Sequence, residues 1–152
     1  MAKKPHVLIV EARFYPDIVD EMVAGALAKL GDVGASKERL EVPGAFEIPA
    51  AISIAANARN REGHLRYDAF IALGCVIRGE TSHYDYVCTE SARGIMDLSI
   101  HRGLAIGYGI LTVENSQQAM VRAAVNNKNK GGDAVMAALR ILQIKKGYET
   151  VV

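Results

Sequence analysis

Along the chain, short runs of apolar and often β-branched residues alternate with longer stretches in which apolar residues recur every three or four positions. Strand–helix–strand units produce that alternation. His6 to Val10 reads as the first strand. Asp17 then caps a helix in which Ile18, Val19, Met22, Val23, Ala26, Leu27 and Leu30 share one face, and the helix ends at Gly31. A second strand is predicted near Arg39 to Val42. After it comes Pro43-Gly44-Ala45-Phe46-Glu47-Ile48-Pro49, with Pro49 suited to the first turn of a helix from Ala50 to Arg59. Asp68 to Leu73 is the third strand, and Gly74 to Ser82 a loop. A helix from about His83 to His101 then puts Val87, Cys88, Ser91, Ala92, Ile95, Met96 and Ser99 on one face. Leu104 to Leu111 is the fourth strand. Asn115 with Gln118 makes a capping-box start for a helix through Val125, and a last helix runs from about Asp133 to Lys146, closed by two lysines and Gly147.

Four continuous apolar strands separated by helices imply an α/β fold: a three-layer sandwich of flavodoxin-like kind, with a four-stranded parallel sheet and helices on both faces. At 152 residues, half of them apolar, one domain over 1–152 buries roughly 70% of its unfolded surface and needs no staple. The 18 Lys and Arg against 17 Asp and Glu leave a net charge of +1. With the cations scattered, there is no basic footprint for nucleic acid. Cys75 and Cys88 are too few for a disulfide framework and wrongly spaced for zinc, so a reducing, cytoplasmic setting is expected. Met1-Ala2-Lys3-Lys4 resembles the start of an export signal, but the apolar run after it stops at Glu11, and export is not expected. Ala69 to Ile77 and Leu104 to Val113 fall well short of the roughly 20 apolar residues of a membrane helix.

In a parallel sheet, ligands bind beyond the carboxyl ends of the strands. Chemistry is therefore sought in Glu11 to Pro16, Pro43 to Pro49, Gly74 to His83 and Thr112 to Asn115. In the third segment, glycine, two hydroxyls and a histidine meet where a strand gives way to a helix. Thr81 or Ser82 either caps that helix or leaves its N–H groups to an anion, and spacing alone does not choose. His83 is the one histidine at a strand's carboxyl end, suited to proton transfer. His6, His64 and His101 are assigned solvated or capping roles. Arg122 either clamps a phosphate or pairs on a solvated helix face with Asp133. Phe14 is either a staple on the next helix or a stacking platform. Glu47 serves a ligand's hydroxyls or its own helix dipole. Cys75, flanked by Gly74 and Val76, has neither base nor cation beside it in sequence and reads as a buried small residue. There is no P-loop and no G-x-G-x-x-G. No acidic cluster sits at the strand ends as in a phospho-acceptor receiver. His83 and Cys88, five apart, do not share a helix face as metal ligands, so no metal is expected.

Three blocks, in order, cover nearly the whole chain: Val42 to Pro49; Gly74-Cys75-Val76-Ile77-Arg78-Gly79-Glu80-Thr81-Ser82-His83-Tyr84-Asp85-Tyr86-Val87; and Gly109 to Asn115 with Gln118, Ala119 and Arg122. Together they strongly resemble the lumazine synthase family. The resemblance implies the penultimate step of riboflavin biosynthesis. A ribitylamino-pyrimidinedione condenses with 3,4-dihydroxy-2-butanone 4-phosphate to 6,7-dimethyl-8-ribityllumazine, phosphate and water, without a cofactor. By the same resemblance Phe14 stacks on the pyrimidine, Ala45 and Glu47, with Phe46 between them, bind the ribityl side, and backbone from Val76 through Ile77 to Arg78 holds the ring. Glu80 and Thr81 backbone groups with Arg122 bind phosphate. His83 moves protons, and Asp133 orients Arg122 or His83. The family assembles pentameric rings in which a neighbour completes each site, so Tyr108 and Lys130 are expected to act in trans.

Capsid-forming members carry a glycine-bearing turn between the last two helices. Here that turn reads Asn126-Asn127-Lys128-Asn129-Lys130-Gly131, with no glycine at the sharp bend. A free homopentamer is therefore expected rather than a sixty-subunit shell. The short stretch ahead of the first strand is also expected to add little to a neighbour's sheet. The contrasting reading is a non-catalytic paralogue that keeps the pocket to carry or sense flavin or lumazine, and a third is a structural cage. Phe14 and Glu47 suit an enzyme and a carrier alike, whereas His83 and Arg122 favour catalysis.

Overall fold

The computed structural model describes residues 3–149. Its strands are β1 (His6–Ala12), β2 (Ser36–Val42), β3 (Ala69–Ile77) and β4 (Ile106–Val113), and its helices are α1 (Pro16–Asp32), α2 (Ile48–Ala55), α3 (His83–Arg102), α4 (Ser116–Ala123) and α5 (Lys130–Glu149). A short 3-10 turn, Ala45–Glu47, precedes α2. All strand pairs are parallel, in the order β2-β1-β3-β4. This is the expected sheet, with helices on both faces.

Side chains alternate between two cores because successive strand residues point to opposite faces. Val7 and Ile9 of β1, with Ile71 and Leu73 of β3, pack against α1, α4 and α5 through Met22, Ala119 and Val135. Leu8 and Val10, with Phe70 and Ala72, pack against α2 and α3 through Ile48, Ile52, Val87 and Ile95. The chain winds outward from β1 to β2 and then returns past β1 to β3 and β4. Right-handed crossovers in the two directions put their helices on opposite faces. The loops after β1 and β3 therefore part at a switch point, where a crevice opens.

Several boundaries differ from the sequence reading. Asp17 is not the cap of α1. Pro16 opens the helix, as its fixed φ and missing N–H permit, so Asp17 lies inside the first turn. β3 continues through Gly74 to Ile77 because β4 supplies partners, Gly74 facing Ile110 and Ile77 facing Val113. β2 is not a continuous apolar strand. As an edge strand it is largely exposed, with the sequence SKERLEV. The helix after Pro49 stops at Ala55, α4 stops at Ala123, and α5 starts at Lys130 and runs past Gly147. On α3, Val87, Ser91 and Ile95 are buried, but Met96 is 57% exposed. The capping box forms as read: Asn115 Oδ1 accepts from the Gln118 N–H (2.9 Å), while Gln118 Oε1 accepts from the Glu114 N–H (2.8 Å). His6 is neither solvated nor a cap. Its ring bridges Ser36 Oγ and Glu38 Oε2, each at 2.7 Å, and stacks on Tyr67.

Candidate active site

The switch-point crevice has a volume of about 510 Å³. The β1–α1 loop brings Phe14 and Tyr15 to one wall, and the turn before α2 brings Gly44, Ala45, Phe46 and Glu47 to another. The end of β3 and the start of α3 supply Cys75, Val76, Ile77, Thr81, His83 and Tyr84. Phe14 is 69% exposed and meets Tyr15 edge-on at 5.0 Å. It is therefore not a staple buried against α1, and its faces are open to a flat ligand. Phe46 also projects, whereas Ala45 is buried. Glu47 lies at the entry to α2, with its carboxylate beside Gly44, where a Cβ would stand 3.2 Å from Oε2.

At the start of α3, Ser82 makes no side-chain cap. The Thr81 hydroxyl accepts only a long bond from the His83 N–H, at 3.3 Å. Of the two hydroxyls the sequence offers as caps, Thr81 thus serves the first turn through one long bond and Ser82 does not. A helix N-terminus without a strong cap is a place where an anion is stabilised. Arg78 does not line the crevice. Its guanidinium lies 4.2 Å over the Tyr84 ring and donates to Glu114 Oε2 at 2.9 Å, while its backbone N–H donates to the Val113 carbonyl at 3.0 Å. Glu80 is exposed and does not line the crevice. Cys75 is buried and free, and burial pushes its thiol up to about 11, so it is not a thiolate nucleophile at neutral pH.

A second crevice, of about 380 Å³, opens beside the β4 edge. Tyr108 and Thr112 of β4, Arg122 of α4, and Lys130, Asp133 and Ala137 of α5 line it. Arg122 Nη1 donates to the Gln118 carbonyl at 3.0 Å. Lys130 Nζ lies 3.2 Å from Asp133 Oδ2. Within one chain Asp133 therefore faces Lys130 in the first turn of α5, rather than Arg122. Burial, reinforced by the neighbouring Cys88, pushes the Tyr108 phenol up against an opposing hydrogen bond with Ser91.

Within one chain the structure therefore gathers Phe14, Ala45, Phe46, Glu47, Val76, Ile77, Thr81 and His83 in the first crevice. Tyr108, Arg122, Lys130 and Asp133 stand in the second. Arg122 does not join Thr81. Sequence reasoning missed Tyr15, Pro43 and Tyr84 in the first wall. It also missed the support behind Phe14: Glu11, 3% exposed, takes both Arg39 donors (2.8 and 2.9 Å) and Arg13 (3.1 Å), and Arg13 also bonds Asp20. The signal was present as one carboxylate closing an apolar strand, since a buried charge requires partners.

Comparison with known proteins gives one answer. The family model described as 6,7-dimethyl-8-ribityllumazine synthase matches residues 4–146. A protein of that name from Bartonella tribocorum is 53% identical over 148 residues, covering 97% of this chain and 95% of its own. The Methylorubrum extorquens protein is 57% identical over 140 residues, 92% of this chain and 80% of its own, and the Agrobacterium fabrum protein 52% over 143 residues, 94% and 96%.

Proposed function

The chain belongs to the 6,7-dimethyl-8-ribityllumazine synthase family, and from that membership we propose how its two crevices make the lumazine ring. The enzyme is a transferase of riboflavin biosynthesis. It condenses the ribitylamino-pyrimidinedione with 3,4-dihydroxy-2-butanone 4-phosphate, releasing the lumazine, phosphate and water.

One observation carries the assignment of parts. The first crevice offers exposed aromatics, a carboxylate and His83, yet among the described residues lining it there is no lysine or arginine. The second offers Arg122 and Lys130. Two substrates, one a flat ring bearing a polyol and the other a phosphate ester, need both sets, since a phosphate calls for cationic, bidentate donors. The reading is a homopentameric ring in the cytoplasm in which the first crevice of one chain faces the second crevice of its neighbour. Phe14 stacks on the pyrimidine. Ala45 and Glu47, flanked by Phe46, bind the ribityl chain, and the backbone from Val76 through Ile77 to Arg78 follows the ring edge. Phosphate is held between the start of α3, at Glu80 and Thr81, and the partner's cations. Tyr108 and Lys130 act in trans, and their placement beside Arg122 supports reading Arg122 as acting from the same side. Asp133 keeps Lys130 directed.

The chemistry then needs little beyond positioning and one proton carrier. The ring amine attacks the ketone, and water leaves as the imine forms. Phosphate departs by elimination, and the ribityl-bearing nitrogen closes the ring with loss of a second water. His83 stands at the mouth of α3, where it can take a proton from the attacking amine and return one to the leaving oxygens. Such acid–base work contributes about 10²–10⁴-fold, and alignment of the two substrates supplies much of the rest.

Following lumazine fluorescence against the slow uncatalysed condensation tests this reading. A clear acceleration that falls in both His83→Ala and Arg122→Ala is expected. Tight flavin binding without acceleration would overturn it in favour of a carrier.

A further inference from the structure

The turn between α4 and α5, which lacks the glycine expected at a sharp bend, makes that bend with Asn129. Its φ of +46° makes it the one non-glycine residue in the left-handed region among the described residues. Asparagine enters that region more readily than other side chains, but glycine enters it at lower cost. What asparagine adds is its amide. Oδ1 accepts from the Gly132 N–H at 3.3 Å, capping the first turn of α5, while the Asn129 carbonyl accepts from the Asp133 N–H at 3.1 Å. The Asn129 N–H is itself held by the Ala124 carbonyl at 3.1 Å.

The same amide is wedged between two helices. A Cβ placed on Gly25 of α1 would stand 2.1 Å from Asn129 Oδ1, and one on Gly132 would stand 2.6 Å from Nδ2. Between them, a Cβ on Gly131 would stand 2.0 Å from the Met22 carbonyl oxygen of α1. Gly25 and Gly132 thus clear a seat for the Asn129 amide between α1 and the start of α5, and beside it Gly131 lets the two backbones meet directly. Close packing of this kind leaves the first turn of α5 one position and one rotation. That turn carries Lys130, immediately after Asn129, and Asp133, both lining the second crevice.

We propose that Asn129 is a positioning residue for the phosphate-binding half-site: its wedged amide sets where Lys130 and Asp133 stand. The proposal rests on the reading of the second crevice given above. It accounts for an asparagine where backbone conformation alone would favour glycine. It also accounts for the paired Gly131 and Gly132 at a helix start, where glycine otherwise weakens the helix.

The test compares Michaelis constants, which do not depend on how much of a sample is folded. Asn129→Gly keeps the bend and removes the amide. It is expected to raise KM for the butanone phosphate about tenfold, with KM for the pyrimidinedione within about twofold. Asn129→Asp, which keeps the acceptor and tolerates the conformation, is expected to recover most of that loss. Gly25→Ala, which lines neither crevice, should reproduce the same selective rise by pushing the amide aside, and it serves if Asn129→Gly does not fold. Lys130→Met is the benchmark. If it raises KM for the phosphate substrate while Asn129→Gly leaves it unchanged, the inference alone is overturned. If Lys130→Met leaves KM unchanged, the reading of the second crevice falls and the inference with it.

Discussion

In the proposed function Phe14 and His83 divide the work of the first crevice, and separate substitutions should resolve the two roles. Phe14 projects from a loop and makes its ring contact with Tyr15, so its removal costs the fold little. Phe14→Ala is expected to raise KM for the pyrimidinedione by about 10- to 100-fold, the loss of a stacking contact worth roughly 1–3 kcal/mol, with Tm nearly unchanged. His83→Ala should instead lower kcat by about 10²-fold or more and leave both Michaelis constants near their starting values, as stopped-time product assays would report. A kcat within a few-fold of the parent would remove His83 from its role. Residues of this kind were legible because their types are conspicuous at a strand's carboxyl end. Glu11, Arg13 and Arg39 were not, because their partnership crosses from β1 to β2 and back to the loop before α1, and no local spacing records it. Asn129 was legible only as a missing glycine. Its positive φ and its fit against Gly25 are tertiary facts.

Among the elements, β2 and the packing of α5 make the sharpest predictions. β2 lies at the edge of the sheet, held to β1 partly through Glu38, which bonds Arg66 and His6 Nε2. The Arg66 hydrogen bond first and the His6 bond second bring its carboxyl down to about 2 from an ordinary 4.5. A carboxylate depressed on folding stabilises the protein fully above its unfolded pKa, and that stabilisation is lost as pH falls toward the folded value. Thermal stability should therefore decline between about pH 4.5 and 2, and Glu38→Gln should flatten that part of the profile. An unchanged acid limb would show the cluster to be energetically idle. On the other face α5 lies so close to β4 that a Cβ on Gly107 would stand 1.9 Å from the Ala134 carbonyl oxygen. Gly107→Ala should cost about 1–3 kcal/mol, at roughly 2–4 °C of Tm per kcal/mol for a chain of this length. Gly31→Ala, at the end of α1 with nothing within 4 Å of the added methyl, should be neutral or slightly stabilising. Helix periods and continuous apolar strands made β1, β3, β4, α1 and α3 readable. β2 was half missed, since an exposed edge strand lacks the apolar run that marks a buried one. Helix ends shifted because they depend on neighbours, as where β4 draws β3 past Gly74.

For the molecule as a whole, the decisive feature is that one chain carries two separate crevices, one lined by aromatics without lysine or arginine among the described residues and one with Arg122 and Lys130 beside β4, which the proposed function reads as two halves of one site. A heterologous contact joins unlike surfaces and forms a ring when its rotation closes, and in the proposed ring every crevice has a counterpart. The sequence motifs named residues of both crevices, but only the fold shows that the two stand apart within one chain, because strand order and the edge position of β4 are set by global winding. The most direct measurement is subunit complementation. His83→Ala chains and Arg122→Ala chains, each nearly inactive alone, are co-expressed with different tags in equal amounts, and mixed assemblies are isolated. If each site takes His83 from one chain and Arg122 from the next, about a quarter of the sites in random rings carry neither lesion, and activity should return to about a quarter of the wild-type value. Activity no higher than the mean of the two parents would contradict the account, because it would place both residues in the site of a single chain.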